Sequence, residues 1–359
     1  MKKLRIGLVG AGNIAGTHLS AYKKIENAEV VAICDIDEEQ LNETADKFGI
    51  ANRFTSETEM LAKVEMDAID VCVWNVNHAK CAIEGLNAGK HVLCEKPMAY
   101  SAKEAEEMKE AADRNGKLLM IGFVLRFGTD AIVAKDMIDS GVMGEIYHTK
   151  ATYLRQHGAP GGWFCNKELS GGGPVIDLGV HVLDITRYYM GCPKPVSVYA
   201  VTQEKLGNRP YLKTDVGWKP KNAKDDDIFN VEDFATALIR YDNGSTTLLQ
   251  TSYSLNGTTE TSQEAFGTKG GFKLGGAAFE GDKSFKVYTE LNGYLAEVKP
   301  VTSNLKNVSG EMFTDEMRHF VDCALNGTPC KAPAEDGVTI MKILDAIYES
   351  ARTGHEVIL

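Results

Sequence analysis

The sequence predicts two folded units of different class. An α/β unit over residues 1–122, built on a doubly wound parallel sheet, precedes an α+β unit over residues 123–359 built on an open, mostly antiparallel sheet. Three observations predict this. Short β-rich runs alternate strictly with longer amphipathic stretches up to about residue 122; a glycine-rich turn directly follows the first run; and beyond residue 145 alternating strands joined by turn signals take over. A length of 359 residues suits two units, each large enough to bury its own core.

In chain order, Leu4-Arg-Ile-Gly-Leu-Val9, Glu29-Val-Val-Ala-Ile-Cys34, Ala68-Ile-Asp-Val-Cys-Val-Trp74, His91-Val-Leu-Cys94 and Leu118-Leu-Met-Ile121 read as strands. Asn13 to Ile25, Glu38 to Phe48, His78 to Ala88 and Ser101 to Asn115 read as the helices between them. Such alternation implies right-handed βαβ crossovers and a parallel sheet covered on both faces. Glu145 to Leu154, Phe234 to Tyr241 and Ser245 to Tyr253 read as half-buried strands, the last two joined at Asp242-Asn243-Gly244, where Asn and Gly tolerate φ > 0. These strands are expected to be antiparallel, with a further hairpin at Ser284 to Glu290 and Gly293 to Lys299. A helix starts near Pro174, Gln203 to Asn230 is a polar loop, and Glu311 to Asn326 and Glu335 to Thr353 are closing helices that pack back on the first unit. The run Asp225-Asp226-Asp227 reads as a solvated acidic turn, with metal binding as the alternative.

Charge and composition exclude several classes. With 39 basic and 50 acidic residues the net charge is −11, and no basic cluster offers a nucleic-acid footprint. Hydrophobic residues at 43% and charged residues at 25% are ordinary globular usage, which argues against a disordered or membrane protein. The apolar stretch Leu4 to Val9 is too short for a signal peptide or a membrane span. Eight cysteines without a C-x-x-C fit reduced thiols and a cytoplasmic location.

Gly10-Ala-Gly12-Asn-Ile-Ala15 gives G-x-G-x-x-A between the first strand and the first helix, the setting of a Rossmann dinucleotide site. Gly10 makes the tight turn, Gly12 lets backbone approach a pyrophosphate, Ala15 keeps helix and sheet close, and free amides at the helix start hold phosphates. Asp35, at the end of the second strand, is placed to accept from ribose hydroxyls. Its charge repels a 2′-phosphate, and Ile36-Asp37-Glu38 supplies no Arg, so NAD is expected over NADP. A strand-capping acid beside an ordinary turn is the alternative.

Glu95-Lys96-Pro97 follows the fifth strand at the sheet end where open α/β folds bind ligands, so Lys96 is a candidate to share a proton with a substrate oxygen. A solvated surface lysine is the alternative. Ser170-Gly-Gly-Gly-Pro174-Val-Ile-Asp177-Leu-Gly-Val-His181-Val-Leu-Asp184 reads as a flexible approach into a helix with Asp177 and His181 on one face. An Asp beside a His can orient its tautomer and make it a proton acceptor for an alcohol. Zinc is the competing reading, without a third Cys or His at convincing spacing, and a helix-terminal acid with a structural histidine is the plain one; no metal is expected.

Together these motifs, with Gly267-Thr-Lys-Gly-Gly and Lys342-Ile-Leu-Asp-Ala-Ile-Tyr-Glu-Ser350, resemble the glucose-fructose oxidoreductase / inositol dehydrogenase / MocA family over nearly the whole chain. The resemblance implies an NAD(P)-dependent oxidoreductase passing hydride between nicotinamide and a carbinol of a sugar, polyol or glycoside. It makes Lys96, Asp177 and His181 the catalytic group, with His181 taking the hydroxyl proton and Lys96 holding the same oxygen. Gly10, Gly12, Asn13, Ile14, Asp35, Asn75, His78, Glu95, Lys96 and Arg126 become the cofactor-binding group, although Trp74-Asn75-Val76-Asn77 stands where Thr-Pro-Asn is frequent. Tyr153, Arg155 and Trp163, with Lys96, Asp177 and His181, fall where the family shapes its substrate pocket. Two alternatives remain: a glycoside hydrolase or lyase that reduces and regenerates NAD within one cycle, and a non-catalytic dinucleotide sensor. An open sheet face that needs covering implies a homodimer or homotetramer.

Overall fold

The computed structural model describes residues 2–207, 209, 211–213, 219–220, 223–224, 226–275, 284–303, 305 and 308–359. Asp225, in the acidic run noted above, lies outside them. Two compact units are present: Met1–Val124 with Ser309–Val338, and Leu125–Val308 with Thr339–Leu359.

The first unit begins β1 (Leu4–Val9), α1 (Asn13–Tyr22), β2 (Ala28–Cys34), α2 (Glu38–Phe48), β3 (Arg53–Phe54), α3 (Glu57–Lys63), β4 (Ala68–Val71), α4 (His78–Asn87), β5 (His91–Cys94), α5 (Ala102–Asn115) and β6 (Leu119–Ile121). All neighbouring strands pair in parallel, in the order β3-β2-β1-β4-β5-β6. The order reverses beside β1, which makes the carboxyl ends of β1 and β4 the natural ligand position of a doubly wound sheet. Leu8, Ala15, Leu19, Ile33, Leu41 and Ala45 pack as one core cluster between sheet and helices. Local chemistry sets the helix ends. Asp37, Ser56 and Ser101 cap α2, α3 and α5 through side-chain oxygens, and Gly49 and Gly116 close α2 and α5 in the left-handed conformation.

The chain continues through α6 (Thr129–Asp139), β7 (Ile146–Leu154), α7 (Lys167–Ser170), a π-helical turn at Val175–Gly179, α8 (Val180–Tyr189), β8 (Pro195–Gln203), β9 (Phe234–Tyr241), β10 (Thr246–Ser252), β11 (Glu260–Gly267), β12 (Gly270–Gly275), β13 (Phe285–Leu291) and β14 (Tyr294–Val298). It closes with α9 (Met312–Asn326), α10 (Ala334–Thr353) and β15 (Val357–Ile358). The second unit's sheet has nine strands in the order β14-β13-β12-β11-β7-β10-β9-β8-β15.

The structure corrects one expectation here. The pairs β9–β10 and β13–β14 are antiparallel hairpins, but β7 and β10 run parallel, with Thr149 opposite Thr247 and Tyr153 opposite Thr251. The cause is the helical segment after β7, which carries the chain back before β8 begins. β8 therefore runs in the direction of β7, and two reversals later β10 does too.

Register divides the sheet's residues between two faces. Thr149, Ala151, Ala237, Ile239, Thr247 and Leu249 are buried on one face, with α8 packed over β7, β10 and β11. On the other face Tyr199, Leu238 and Leu248 stand side by side, and Tyr199 and Leu238 remain 49% and 43% exposed. In the first unit α9 packs against α1, bringing Phe313 to 5.9 Å from the His18 ring.

Candidate active site

The glycine-rich turn is built as the motif requires. Gly10 has φ of +98°, and a Cβ there would meet the Cys72 carbonyl oxygen at 2.5 Å. A Cβ on Gly12 would meet nothing within 4 Å, so the space above the helix start is open. Gly12 occupies the N-cap of α1 without a side-chain cap and without an acidic residue in the first turn, unlike the capped α2, α3 and α5. That leaves first-turn amides and the positive end of the helix dipole for an anion. Asn13 is exposed, Ile14 half-buried and Ala15 fully buried.

Asp35 is tied into the same turn. Its Oδ2 accepts from the Ala11 amide at 2.7 Å and its Oδ1 from the Asp37 amide at 2.9 Å. Two amides fix the carboxylate, while each oxygen keeps a lone pair for a ribose hydroxyl. Ile36 beside it is 84% exposed. These residues fit a bound dinucleotide.

At the end of β5, Lys96 is half-buried and its amide donates to Glu95 Oε2 at 3.0 Å. The Lys96–Pro97 bond is cis. Buried His78 faces the Pro97 carbonyl through Nδ1 at 2.7 Å and the Val73 carbonyl through Nε2 at 3.0 Å. Burial holds the imidazole below its ordinary pKa, and a neutral ring donates to only one of those carbonyls at a time. His78 thus stands behind the Lys96–Pro97 backbone. Asn75 is 6% exposed in a single 3₁₀ turn before α4.

Beneath this strand end lies a network that reading the sequence missed. His18, fully buried on α1, contacts Asp70 Oδ2 through Nδ1 at 2.8 Å and Glu95 Oε1 through Nε2 at 3.1 Å. The Tyr22 hydroxyl donates to Asp70 Oδ2 at 3.1 Å, and the Cys72 thiol lies 3.4 Å from Asp70 Oδ1. Burial disfavours the charged ring, but Asp70, with Cys72 beside it, more than offsets this and holds His18 well above its ordinary pKa. His18 as imidazolium therefore holds Glu95, and Glu95 holds the Lys96 amide. The available signal was Asp70, an acid inside the otherwise apolar strand Ala68-Ile-Asp-Val71.

In the second unit, Pro174 opens a π-helical turn rather than the expected α-helix. The Thr251 hydroxyl takes the Pro174 carbonyl at 3.0 Å, which accommodates the wider turn, a feature frequent at functional sites. Gly172 and Gly173, just before it, are packed, not flexible. A Cβ on Gly172 would lie 1.9 Å from the Tyr348 hydroxyl, and one on Gly173 would lie 2.2 Å from the Glu232 carbonyl oxygen. Buried Glu232 accepts from the Gly173 and Val175 amides at 3.0 and 3.1 Å and from the Tyr348 hydroxyl at 2.9 Å, capping the helix start. From Val175 to Arg187 every residue is buried except Asp177 and His181, which are half-exposed. The buried Tyr253 hydroxyl donates to Asp177 Oδ2 at 3.1 Å, and burial, with the neighbouring Asp177 carboxylate, pushes that phenol's pKa up, so it stays a donor.

The remaining assigned residues have their own partners. Arg126 is 2% exposed; its Nε and Nη2 donate to Asp184 Oδ2 and Oδ1 at 2.9 and 2.5 Å, and its guanidinium lies 4.6 Å from the Tyr188 ring centroid. Tyr153 is buried on β7 and its hydroxyl accepts from Arg155 Nη2 at 3.1 Å, with Arg155 half-buried after the strand. Trp163 is half-buried and stacks on Phe164 at 4.0 Å. In the acidic run, Asp227 Oδ2 accepts from the Gly162 and Lys224 amides at 2.7 and 2.8 Å, which accounts for it as a loop anchor.

Two family models match the chain, one described as an oxidoreductase family with an NAD-binding Rossmann fold, over residues 4–123, the other as the GFO/IDH/MocA C-terminal domain, over residues 132–273. D-glucoside 3-dehydrogenase of Escherichia coli (strain K12) is 35% identical over 362 residues, covering 99% of this chain and 97% of that protein. Levoglucosan dehydrogenase of Pseudarthrobacter phenanthrenivorans (strain DSM 18606 / JCM 16027 / LMG 23796 / Sphe3) is 27% identical over 98% of this chain and 97% of its own. Among solved structures, an aldose-aldose oxidoreductase from Caulobacter crescentus complexed with glycerol superposes with a TM-score of 0.82 at 25% identity, covering 100% of both chains. A levoglucosan dehydrogenase in complex with NADH and levoglucosan superposes at 0.83 with 24% identity over 99% of each chain, a likeness of fold.

Proposed function

The chain belongs to the GFO/IDH/MocA oxidoreductase family, and from that premise we propose that it is an NAD-dependent dehydrogenase acting on a secondary ring carbinol of a glucoside or related sugar. The observation that carries this reading is the exposure pattern of the Gly-Gly-Gly helix, which leaves only Asp177 and His181 accessible between Val175 and Arg187. The similarity to D-glucoside 3-dehydrogenase and levoglucosan dehydrogenase supports the substrate class.

NAD⁺, when bound, supplies the hydride acceptor. The Gly10–Gly12 turn and the open start of α1 hold its pyrophosphate, and Asp35 holds the adenosine ribose. His181 accepts the proton of the reacting hydroxyl, and Lys96 donates a hydrogen bond to that same oxygen as it becomes a carbonyl. Asp177, fixed by the Tyr253 hydroxyl, orients the acid–base pair. Tyr153, Arg155 and Trp163 shape the substrate side, the Arg155–Tyr153 hydrogen bond presenting the guanidinium in a set position. His78 serves the site by fixing the backbone at Pro97 and Val73, and Arg126 by bracing α8 through Asp184.

The experiment is a panel of alkyl glucosides, anhydrosugars, aldoses and polyols assayed with NAD⁺ and NADP⁺. NADH is expected to accumulate with glucosides, with the oxidised carbon identified by NMR of the product. kcat/KM is expected to favour NAD⁺ by about 10-fold or more, equivalent to about 1.4 kcal/mol, and Asp35→Ser is expected to shrink that preference. No turnover on any member sinks the dehydrogenase reading, and a preference for NADP⁺ sinks the role given to Asp35.

We also assign the exposed sheet face to self-association. Tyr199, Leu238 and Leu248 lie side by side across three strands, and a second copy of the chain covers them. Light scattering behind size exclusion is expected to give at least twice 39.2 kDa, and Leu238→Lys is expected to lower that mass. A 39.2 kDa wild-type species rejects the assignment. All eight cysteines are free thiols, and among the described residues no helix is long and apolar enough to cross a membrane. We place the enzyme in a reducing cytoplasm.

A further inference from the structure

The described residues hold two clusters of three potential metal ligands. One, His18 with Asp70 and Cys72, belongs to the network beneath Lys96. The other, His319 with Cys323 and Cys330, has no part in the function proposed above.

Its geometry follows from the local fold. His319 and Cys323 stand one turn apart on α9 and so share a face. The helix stops at Gly327, which has φ of +70°, and the chain doubles back through Thr328 and Pro329 to bring Cys330 to that face. The Thr328 hydroxyl donates to Asp322 Oδ2 at 2.5 Å, and the Ala332 carbonyl accepts from the Ile121 amide at 2.9 Å, pinning the loop at both ends. Cys323 Sγ lies 3.3 Å from His319 Nε2, and the three ligand atoms lie within 4.8 Å of one another. Ligands about 2.3 Å (sulfur) and about 2.0 Å (nitrogen) from a tetrahedral ion sit roughly 3.5–3.8 Å apart, so little movement separates this arrangement from a coordinated one.

The donor chemistry agrees. The Cys323 and Cys330 sulfurs are hydrogen-bonded to each other, so the two thiols already face one point. His319 Nε2 accepts from the Lys331 amide at 2.9 Å through the lone pair that a metal ion would take instead. Lys331 is exposed, and its amide can turn to water when that lone pair is taken.

We propose that His319, Cys323 and Cys330 form a zinc site in the first unit, with water as fourth ligand. Two sulfurs and an imidazole select zinc over the hard cations magnesium and calcium. Binding releases the protons of the two thiols to solvent and needs no change of oxidation state. The site stands at the β6 edge of the sheet, two strands beyond β4 from the Gly10 turn on β1. There the ion ties the end of α9 to the loop that pairs with Met120 and Ile121, a structural role independent of the dehydrogenase reading.

The test uses the full chain purified under reductant. Mass spectrometry of the metal content is expected to find about one zinc per chain, and adding zinc to chelator-treated protein is expected to raise Tm. Substituting cobalt is expected to give tetrahedral d–d bands with thiolate-to-metal charge transfer. Cys330→Ser and His319→Ala are expected to weaken zinc binding by about 10²-fold or more while NADH binding persists, which shows that the variants fold. Three results overturn the proposal: no zinc and no cobalt spectrum in the wild type, an unchanged affinity in Cys330→Ser, or a Cys323–Cys330 disulfide in the reductant-purified protein, which assigns the pair to redox chemistry instead.

Discussion

Replacing Lys96 by methionine lowers kcat by about 10²- to 10⁴-fold, the usual contribution of a positioned proton-transfer group, and leaves NADH binding intact. The separation is expected because the two contributions of residue 96 use different atoms. Its amide is held by Glu95 Oε2, a bond that methionine keeps, whereas its ammonium group is the part assigned to the substrate oxygen. The measurement is steady-state turnover on the best glucoside alongside fluorescence titration with NADH. Turnover within a few-fold of wild type would remove Lys96 from the chemistry, and lost NADH binding would move its role to the cofactor.

His18→Leu has the largest expected effect on stability. The substitution leaves the Asp70 and Glu95 carboxylates buried without the cation between them, and breaking a buried pair in this way costs about 3–5 kcal/mol. The pH dependence has a definite sign. Because the folded pKa of His18 is raised, its contribution is present in full below the unfolded value of about 6.5 and is lost as pH climbs through the folded value. Urea denaturation between about pH 6 and about pH 10 is expected to show wild-type stability falling on the alkaline side, and the variant is expected to lack that component. A variant as stable as the wild type, with the same pH slope, would show that the network carries no net charge interaction. Because Glu95 also receives the Lys96 amide, the variant is expected to lose turnover as well.

Much of the first unit was legible because its signals are local. The strand–helix alternation, the turn at Gly10 and the acid at Asp35 each act over a few residues, and the elements recur as β1, α1 and β2, with Asp35 accepting from the Ala11 amide of the turn. What escaped depends on distant partners. His18 meets Asp70 across 52 positions and Glu95 across 77, separations that no periodicity reveals. The parallel pairing of β7 with β10 followed from the crossover between them, which strand patterning does not encode. Gly172 and Gly173, before Pro174, show a different failure. Composition reads them as freedom, but Tyr348 and Glu232 occupy the space where side chains would stand. Spacing singled out Asp177 and His181, and in the fold they are the two residues between Val175 and Arg187 that are not buried.

The discontinuity of the first unit has a consequence for biosynthesis. Residues 309–338 complete it, with α9 laid against α1 and Phe313 against His18, so the nucleotide-binding half emerges from the ribosome first but stays unfinished until most of the polypeptide has followed. Until then the flank of α1 that receives α9 is without that partner. Translation speed through the middle of the message thus sets how long that wait lasts.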